Sequence, residues 1–301
     1  MAERVVALLG GDQREFQVVP ALLAAGWQVR VWGLPKAELA DGAVCCETAA
    51  EAVKGAAVIL LPLPGIRNNG RLHAPFADHP LITEEDWADV PAGTPVVTGV
   101  ASVYLQNLAA ALRLPLTEVA ENDRVAIPNA IPTAEGAVQI AMEETSVTVD
   151  GMRVLVLGYG RVGAALCDKL HALGARVTVT NRGVGRFAAA VRDGCAVCPW
   201  TERQSCLTDV EVVFNTIPAP VIERSMLENM AKHTVIIDLA SPPGGTDFAL
   251  ATEMGIKTIH ALGLPGKVAP VTAGRILAAF YPALLADLIR ENRMGGDAYA
   301  E

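Results

Sequence analysis

The stretch RVLVLGYGRVG, Arg153 to Gly163, constrains the fold more than any other part of the chain. Arg153–Leu157 reads as a strand, and Gly158-Tyr159-Gly160-Arg161-Val162-Gly163 follows as a turn. Beyond it, Val162, Leu166, Leu170 and Leu173 recur at helical spacing, so one helix face packs on a sheet. Val177–Thr180 then supplies the next strand. A G-x-G-x-x-G turn inside a strand–helix–strand unit predicts a dinucleotide-binding, Rossmann-like domain. Gly158 allows the tight turn, Gly160 lets backbone approach a pyrophosphate, and Gly163 allows close helix–strand packing. The first N–H groups of the helix suit phosphate. A glycine turn that binds nothing is the plain alternative.

Short apolar runs alternate with Ala/Leu-rich stretches nearly throughout, which predicts an α/β chain with parallel sheets. Strands are expected at Arg4–Leu9, Gln28–Trp32, Ala57–Leu61 and Pro95–Thr98, with helices at Phe16–Ala25 and Ser102–Leu112. Further strands are expected at Glu211–Thr216, Thr234–Leu239 and Lys257–Ala261. Two long helices, Pro132–Glu144 and the segment from Val271 to Asn292, join the halves. Leu277, Phe280, Leu284 and Leu288 line one face of the second, and Pro282 is expected to kink it. The architecture is therefore two doubly wound parallel-sheet domains with a cleft between them, joined by two long helices. Residues 1–128 with 272–301 form a substrate-side domain, 129–149 a connecting helix and linker, and 150–271 the cofactor domain. The short polar tail after Met294 is expected to be mobile.

The end of the second strand chooses between cofactors. An NAD site usually carries an acid about 20 residues after the glycines. Here Asn181 and Arg182 stand there instead, with Arg186 the next basic residue. Arg182 suits a 2′-phosphate through its planar fork, which favours NADP, unless it is only a solvated surface charge. Later strand ends face the same ligand. Thr216, Ile217 and Pro218 are placed near the ribose and pyridine, and Leu239, Ala240 and Ser241 near the nicotinamide.

A second strand-to-turn, LLGGDQREF at Leu8 to Phe16, has adjacent glycines followed by charge. Gly10 and Gly11 suit a nest of outward N–H groups for an anion, with Arg14 as its cation and Asp12 orienting it. An internal Arg14 pair with Asp12 or Glu15 is the competing reading. Ser102, Asn129 and Thr133 complete the candidate substrate contacts, although helix capping alone accounts for Ser102 and Thr133.

Of the 301 residues, 51% are hydrophobic, enough for sizeable cores, and the net charge of −9 argues against a nucleic-acid surface. No signal peptide is recognisable, and no apolar stretch approaches a membrane span. The six cysteines show no disulfide framework, so a reduced, cytoplasmic protein is expected. Cys195 to Cys198 has C-x-x-C spacing with Cys206 beyond, but neither a zinc site nor a redox pair is supported. His73, His79, His171, His233 and His260 form no metal-spaced pair, and only His260 stands near the proposed cleft.

NAIPTAEGA, VLVLGYGRVG, VFNTIP, IDLASPPGGTDF and GLPGKVAPVTAG together resemble the family of dipicolinate synthase A subunits from spore-forming bacteria. GGDQRE and TGVASVYLQNLA fit the same family, so the resemblance spans essentially the whole chain. PLPGIRNNGRLH, Pro62 to His73, departs most from its pattern. The resemblance implies a two-domain, NADP-dependent oxidoreductase in the mother-cell cytoplasm during sporulation. It implies oxidation of a dihydrodipicolinate-type ring to pyridine-2,6-dicarboxylate, in partnership with a flavoprotein-like second subunit. A homo-oligomer is also expected. Two alternatives stay open: a dehydrogenase of another small carboxylate, and a cofactor-binding regulatory subunit whose chemistry belongs to its partner.

Overall fold

A computed structural model describes residues 4–78 and 80–297. The chain divides into two compact units, one made of the residues up to Ala126 together with the segment from Ala269, the other Ile127–Val268.

The first unit holds β1 (Val5–Leu9), α1 (Glu15–Ala24), β2 (Gln28–Trp32), β3 (Val44–Cys45), α2 (Ala49–Val53), β4 (Val58–Leu60), β5 (Val96–Thr98), α3 (Val103–Ala111) and β6 (Leu116–Glu118). The strands lie in the order β3-β2-β1-β4-β5-β6 and every pairing is parallel. β1 is buried along its whole length, as a central parallel strand covered on both faces requires. One face packs on α2 and α3 through Ala52, Val53 and Leu105, the other on α1 through Val18, Val19 and Leu22.

α4 (Asp123–Glu144) leads into the second unit. It begins nine residues before the expected start at Pro132, which instead lies inside it with Pro128. The signal is Asn122, whose side chain accepts from the Arg124 N–H and whose carbonyl accepts from Val125 and Ala126.

The second unit continues with β7 (Arg153–Leu157), α5 (Arg161–Ala172), β8 (Arg176–Thr180), α6 (Val184–Arg192), β9 (Ala196–Cys198), β10 (Val212–Asn215), α7 (Arg224–Leu227), β11 (Val235–Asp238), α8 (Phe248–Glu253), β12 (Lys257–His260) and α9 (Leu264–Val268). Its order, β12-β11-β10-β7-β8-β9, is the first sheet's order read from the other edge. Both are doubly wound sheets whose strand order reverses beside the first strand, between β1 and β4 and between β7 and β10.

α10 (Pro270–Asp297) belongs to the first unit and runs through Pro282 as one helix. Leu277, Phe280 and Leu285 are buried with the α1 side of that core, and Leu284 and Leu288 pack against them. A Cβ on Gly274 would stand 2.4 Å from the Arg14 carbonyl, so glycine lets α10 approach the start of α1. Contrary to expectation, Pro270–Asn292 is long and apolar enough by composition to cross a membrane. Its burial against α1 gives the apolar face another explanation. Helix also persists past Met294, and the rest of the expected tail, like His79, lies outside the described residues.

One correction concerns the thiols. Cys198 and Cys206 form a disulfide, while Cys195 is a free, buried cysteine. The C-x-x-C residues do not pair with each other, and a separation of eight residues carries no readable signal of pairing.

Candidate functional site

The turn after β7 has the geometry its glycines predict. Gly158 adopts φ +96°, a conformation that favours glycine, and its N–H donates to the Thr180 carbonyl. A Cβ there would lie 2.4 Å from Thr216 Oγ1, and one on Gly163 would lie 2.3 Å from the Gly158 carbonyl oxygen. The turn, the loop after β10 and the start of α5 are therefore in contact. Gly160 caps α5, leaving the helix's first N–H groups, from Arg161, Val162 and Gly163, at an end suited to phosphate. The Arg186 guanidinium crosses from α6 to donate to the Tyr159 carbonyl at 3.2 Å, and a Cβ on Gly160 would come within 2.8 Å of it. The Tyr159 side chain turns away into the core, where its hydroxyl donates to Asp193 at 2.9 Å. Burial, reinforced by Asp193, pushes its phenol well up. Only the Tyr159 backbone belongs to the turn.

At the end of β8, Asn181 Nδ2 donates to the Gly183 carbonyl. Arg182 is exposed, with its guanidinium 4.6 Å from the ring centre of Trp200. Arg203 stands 4.5 Å from the same ring and donates to the Trp200 carbonyl. The Cys198–Cys206 disulfide closes the loop carrying both Trp200 and Arg203. This aromatic support was not foreseen; it needs residues 18 apart in sequence to meet.

The ends of β10 and β11 are tied by Asp238. Its fully buried carboxylate accepts from Asn215 Nδ2 (2.9 Å), Ala240 N–H (3.0 Å), Gly245 N–H (2.9 Å) and Thr246 Oγ1 (2.7 Å). Four donors on two oxygens are what a buried charge requires. Thr216 binds the Leu157 carbonyl through both N–H and hydroxyl, and the Ile217 N–H goes to Asn215 Oδ1. The Leu239 N–H goes to the Asn215 carbonyl. His260 Nε2 lies 2.9 Å from the Ala240 carbonyl, so this histidine supports the loop. Pro218 and Ser241 are exposed.

In the first unit the structure corrects the anion-nest expectation. Gly10 and Gly11 do have positive φ, +67° and +109°. However, the Gly10 N–H donates to the Trp32 carbonyl at 2.7 Å and the Gly11 N–H to the His73 carbonyl at 2.8 Å. Both donors are committed within the fold. The Arg14 fork grips Asp12, Nε to Oδ1 at 2.9 Å and Nη2 to Oδ2 at 2.8 Å, so the internal pair is observed. Asp12 Oδ2 also meets His73 Nε2 at 3.0 Å. Burial alone would raise the Asp12 carboxyl, but the bonds from His73 and Arg14 outweigh it and hold it below the usual carboxylate range. Glu15, buried beside Gly11, accepts from the Asp12 N–H, and burial pushes its carboxyl up to about 7. Ser102 caps α3 by accepting from Leu105 N–H, and the Thr133 hydroxyl donates to the Asn129 carbonyl inside α4. Asn129 Oδ1 is buried without a hydrogen bond among the described residues. His73 was the residue missed here, because only folding brings it to Asp12.

Residues 5–120 match the model for the N-terminal domain of the dipicolinate synthase A subunit, and residues 139–260 that for shikimate/quinate 5-dehydrogenase. The A subunit of dipicolinate synthase from Bacillus subtilis is 34% identical over 288 residues, covering 95% of this chain and 97% of that protein. The crystal structure of the Bacillus halodurans A subunit superposes with a TM-score of 0.88 at 36% identity, covering 95% of this chain and 99% of the other. That of the Bacillus subtilis protein gives 0.86 at 33%, covering 97% and 98%. With sequence and fold matched along nearly its whole length, this chain belongs to the family of dipicolinate synthase A subunits.

Proposed function

We propose that this chain is an NADP-dependent oxidoreductase that oxidises a dihydrodipicolinate-type ring to pyridine-2,6-dicarboxylate. It would serve in the mother-cell cytoplasm of a sporulating bacterium and work with a flavoprotein-like second subunit. The family membership supports the product. The observation that carries the cofactor is the pairing of the glycine turn at Gly158–Gly163, which leads into the N-terminus of α5, with Arg182 on its Trp200 support. In this reading the N–H groups of Arg161, Val162 and Gly163 hold the pyrophosphate, and Arg182 with Arg186 holds the 2′-phosphate. Thr216, Ile217 and Pro218 flank the ribose, and Leu239, Ala240 and Ser241 the nicotinamide. When bound, NADP+ accepts a hydride.

The protein's own tasks are orientation and recognition. The Asp238 knot fixes the β10 and β11 loops before any ligand arrives, so little ordering is left to do on binding.

The test is turnover by the purified chain with NADP+ and freshly generated dihydrodipicolinate, followed by NADPH absorbance and by the pyridine product. Product without a partner supports the proposal. Cofactor binding without turnover, rescued only by a flavoprotein, would make this chain the cofactor-binding regulatory subunit instead.

A further inference from the structure

The loop that carries Trp200 and Arg203 is held to the second unit by apolar packing and one covalent bond. It leaves the sheet at Cys198, the last residue of the edge strand β9, and returns to the core at the fully buried Leu207. Between them it forms two single helical turns, Trp200–Glu202 and Ser205–Leu207. Its hydrogen bonds are local. The Glu202 N–H donates to the Pro199 carbonyl (2.9 Å), Ser205 Oγ to the Glu202 carbonyl (2.8 Å) and Arg203 Nη1 to the Trp200 carbonyl (2.9 Å). Among the described residues, 199–206 make no hydrogen bond to any other element. What remains is the packing of Trp200 and Cys206 on the core, and the bond from Cys206 to Cys198.

That bond is open to exchange at one of its sulfurs. Cys198 is 2% exposed, whereas Cys206 is half-buried. Cys195 does not compete, because it is buried with Cys167 in a separate apolar cluster. Arg182 is exposed, and among the described residues no carboxylate pairs with it, so the Trp200 ring is its support. In reducing compartments a protein disulfide is usually catalytic or redox-sensing. This one controls a loop that touches the side chain to which the proposed function gives the 2′-phosphate.

Resting on the NADP reading of this site, we propose that the Cys198–Cys206 disulfide is a redox switch that sets NADP+ affinity through the Trp200 support of Arg182. Closed, the bond fixes the indole against the guanidinium. A dithiol opens it by exchange: one thiolate attacks Cys206 Sγ, the S–S bond breaks, and Cys198 leaves as thiolate. The second thiolate of the dithiol then displaces Cys206. The dithiol is oxidised to a disulfide, and its two electrons and two protons end on the two cysteines. Opened, the loop keeps only its apolar packing, and Arg182 loses a fixed ring.

The experiment compares the full chain oxidised with glutathione disulfide, the same chain reduced with dithiothreitol, and a Cys198→Ser/Cys206→Ser double variant. Thiol titration establishes each state, and calorimetry gives the Kd of NADP+ and of NAD+. Reduction and the double substitution should each raise the NADP+ Kd by about 2- to 5-fold, the range of one cation–π support, and move that of NAD+ much less. In Trp200→Leu the NADP+ Kd should already be raised and should no longer respond to reduction. Equal NADP+ affinity in the oxidised and reduced chain, or equal losses for both cofactors, overturns the switch, while an NADP+ preference in the oxidised chain leaves the cofactor reading standing. Six titratable thiols after oxidation also overturn the switch. No preference for NADP+ in the oxidised chain removes the cofactor reading and the switch with it. If the double variant does not fold, the wild-type chain, oxidised and reduced in place, carries the same comparison.

Discussion

The guanidinium of Arg182 stands 4.6 Å from the ring centre of Trp200, with Arg203 4.5 Å from the same ring. The indole supports the side chain to which the proposed function gives the 2′-phosphate, at a cation–π energy of about 0.5–1 kcal/mol at an exposed site. Arg182→Ala is expected to weaken NADP+ binding by roughly 10- to 100-fold, as loss of a charge-assisted bond implies, and NAD+ binding far less. Calorimetric titration of both cofactors checks this. Equal losses remove the 2′-phosphate pairing.

Glu15 makes stability depend on pH near neutrality. Its carboxyl ordinarily titrates near 4.5 and in the folded protein at about 7. Between those values the folded state holds the extra proton, so this group's contribution is complete below about pH 4.5 and is lost as pH rises through about 7. The shift corresponds to about 3 kcal/mol. Urea unfolding of wild type should therefore show falling stability from pH 5 to 8 relative to Glu15→Gln. A difference that does not move with pH would contradict the assignment.

Gly163→Ala tests the cofactor turn. The new methyl would press on the Gly158 carbonyl oxygen 2.3 Å away, and backbone on both sides leaves little room to yield. A loss of roughly 1–3 kcal/mol in stability is expected, together with weaker cofactor binding as α5 is pushed from the turn. Thermal melts with and without NADP+ read both effects.

Cys198–Cys206 predicts a thiol count. Denatured, unreduced protein should titrate four thiols and reduced protein six. Closing so short a loop is worth about 2–3 kcal/mol by the chain-entropy argument, so a reducing agent should lower the melting temperature of the second unit. Six thiols before reduction would mean the bond is open in the isolated protein.

The central strands were legible because parallel strands covered on both faces are written as continuous apolar runs, as in Val5–Leu9 and Arg153–Leu157. β3 and β6 escaped notice. They are two and three residues long at sheet edges, where burial demands little. The start of α4 was misread because Pro132 suits a first turn, while the true cap, Asn122, precedes a less obviously periodic segment. The geometry of the glycine turn after β7 was legible as local chemistry. His73 with Asp12, Trp200 with Arg182 and the Asp238 knot were not, since each joins segments that only the folded sheet brings together. The same applies to Gly10 and Gly11, whose N–H groups looked available until the carbonyls of Trp32 and His73 were placed beside them.

Gly136, early in the second unit, packs against Val268, its last residue: a Cβ there would meet both Val268 methyls at 3.2 Å. The α4 helix by which the chain enters the Ile127–Val268 unit thus packs against the residue by which it leaves. Such a segment is an insert with adjoining ends, a cassette that can be lifted out for separate expression while a short linker rejoins its host.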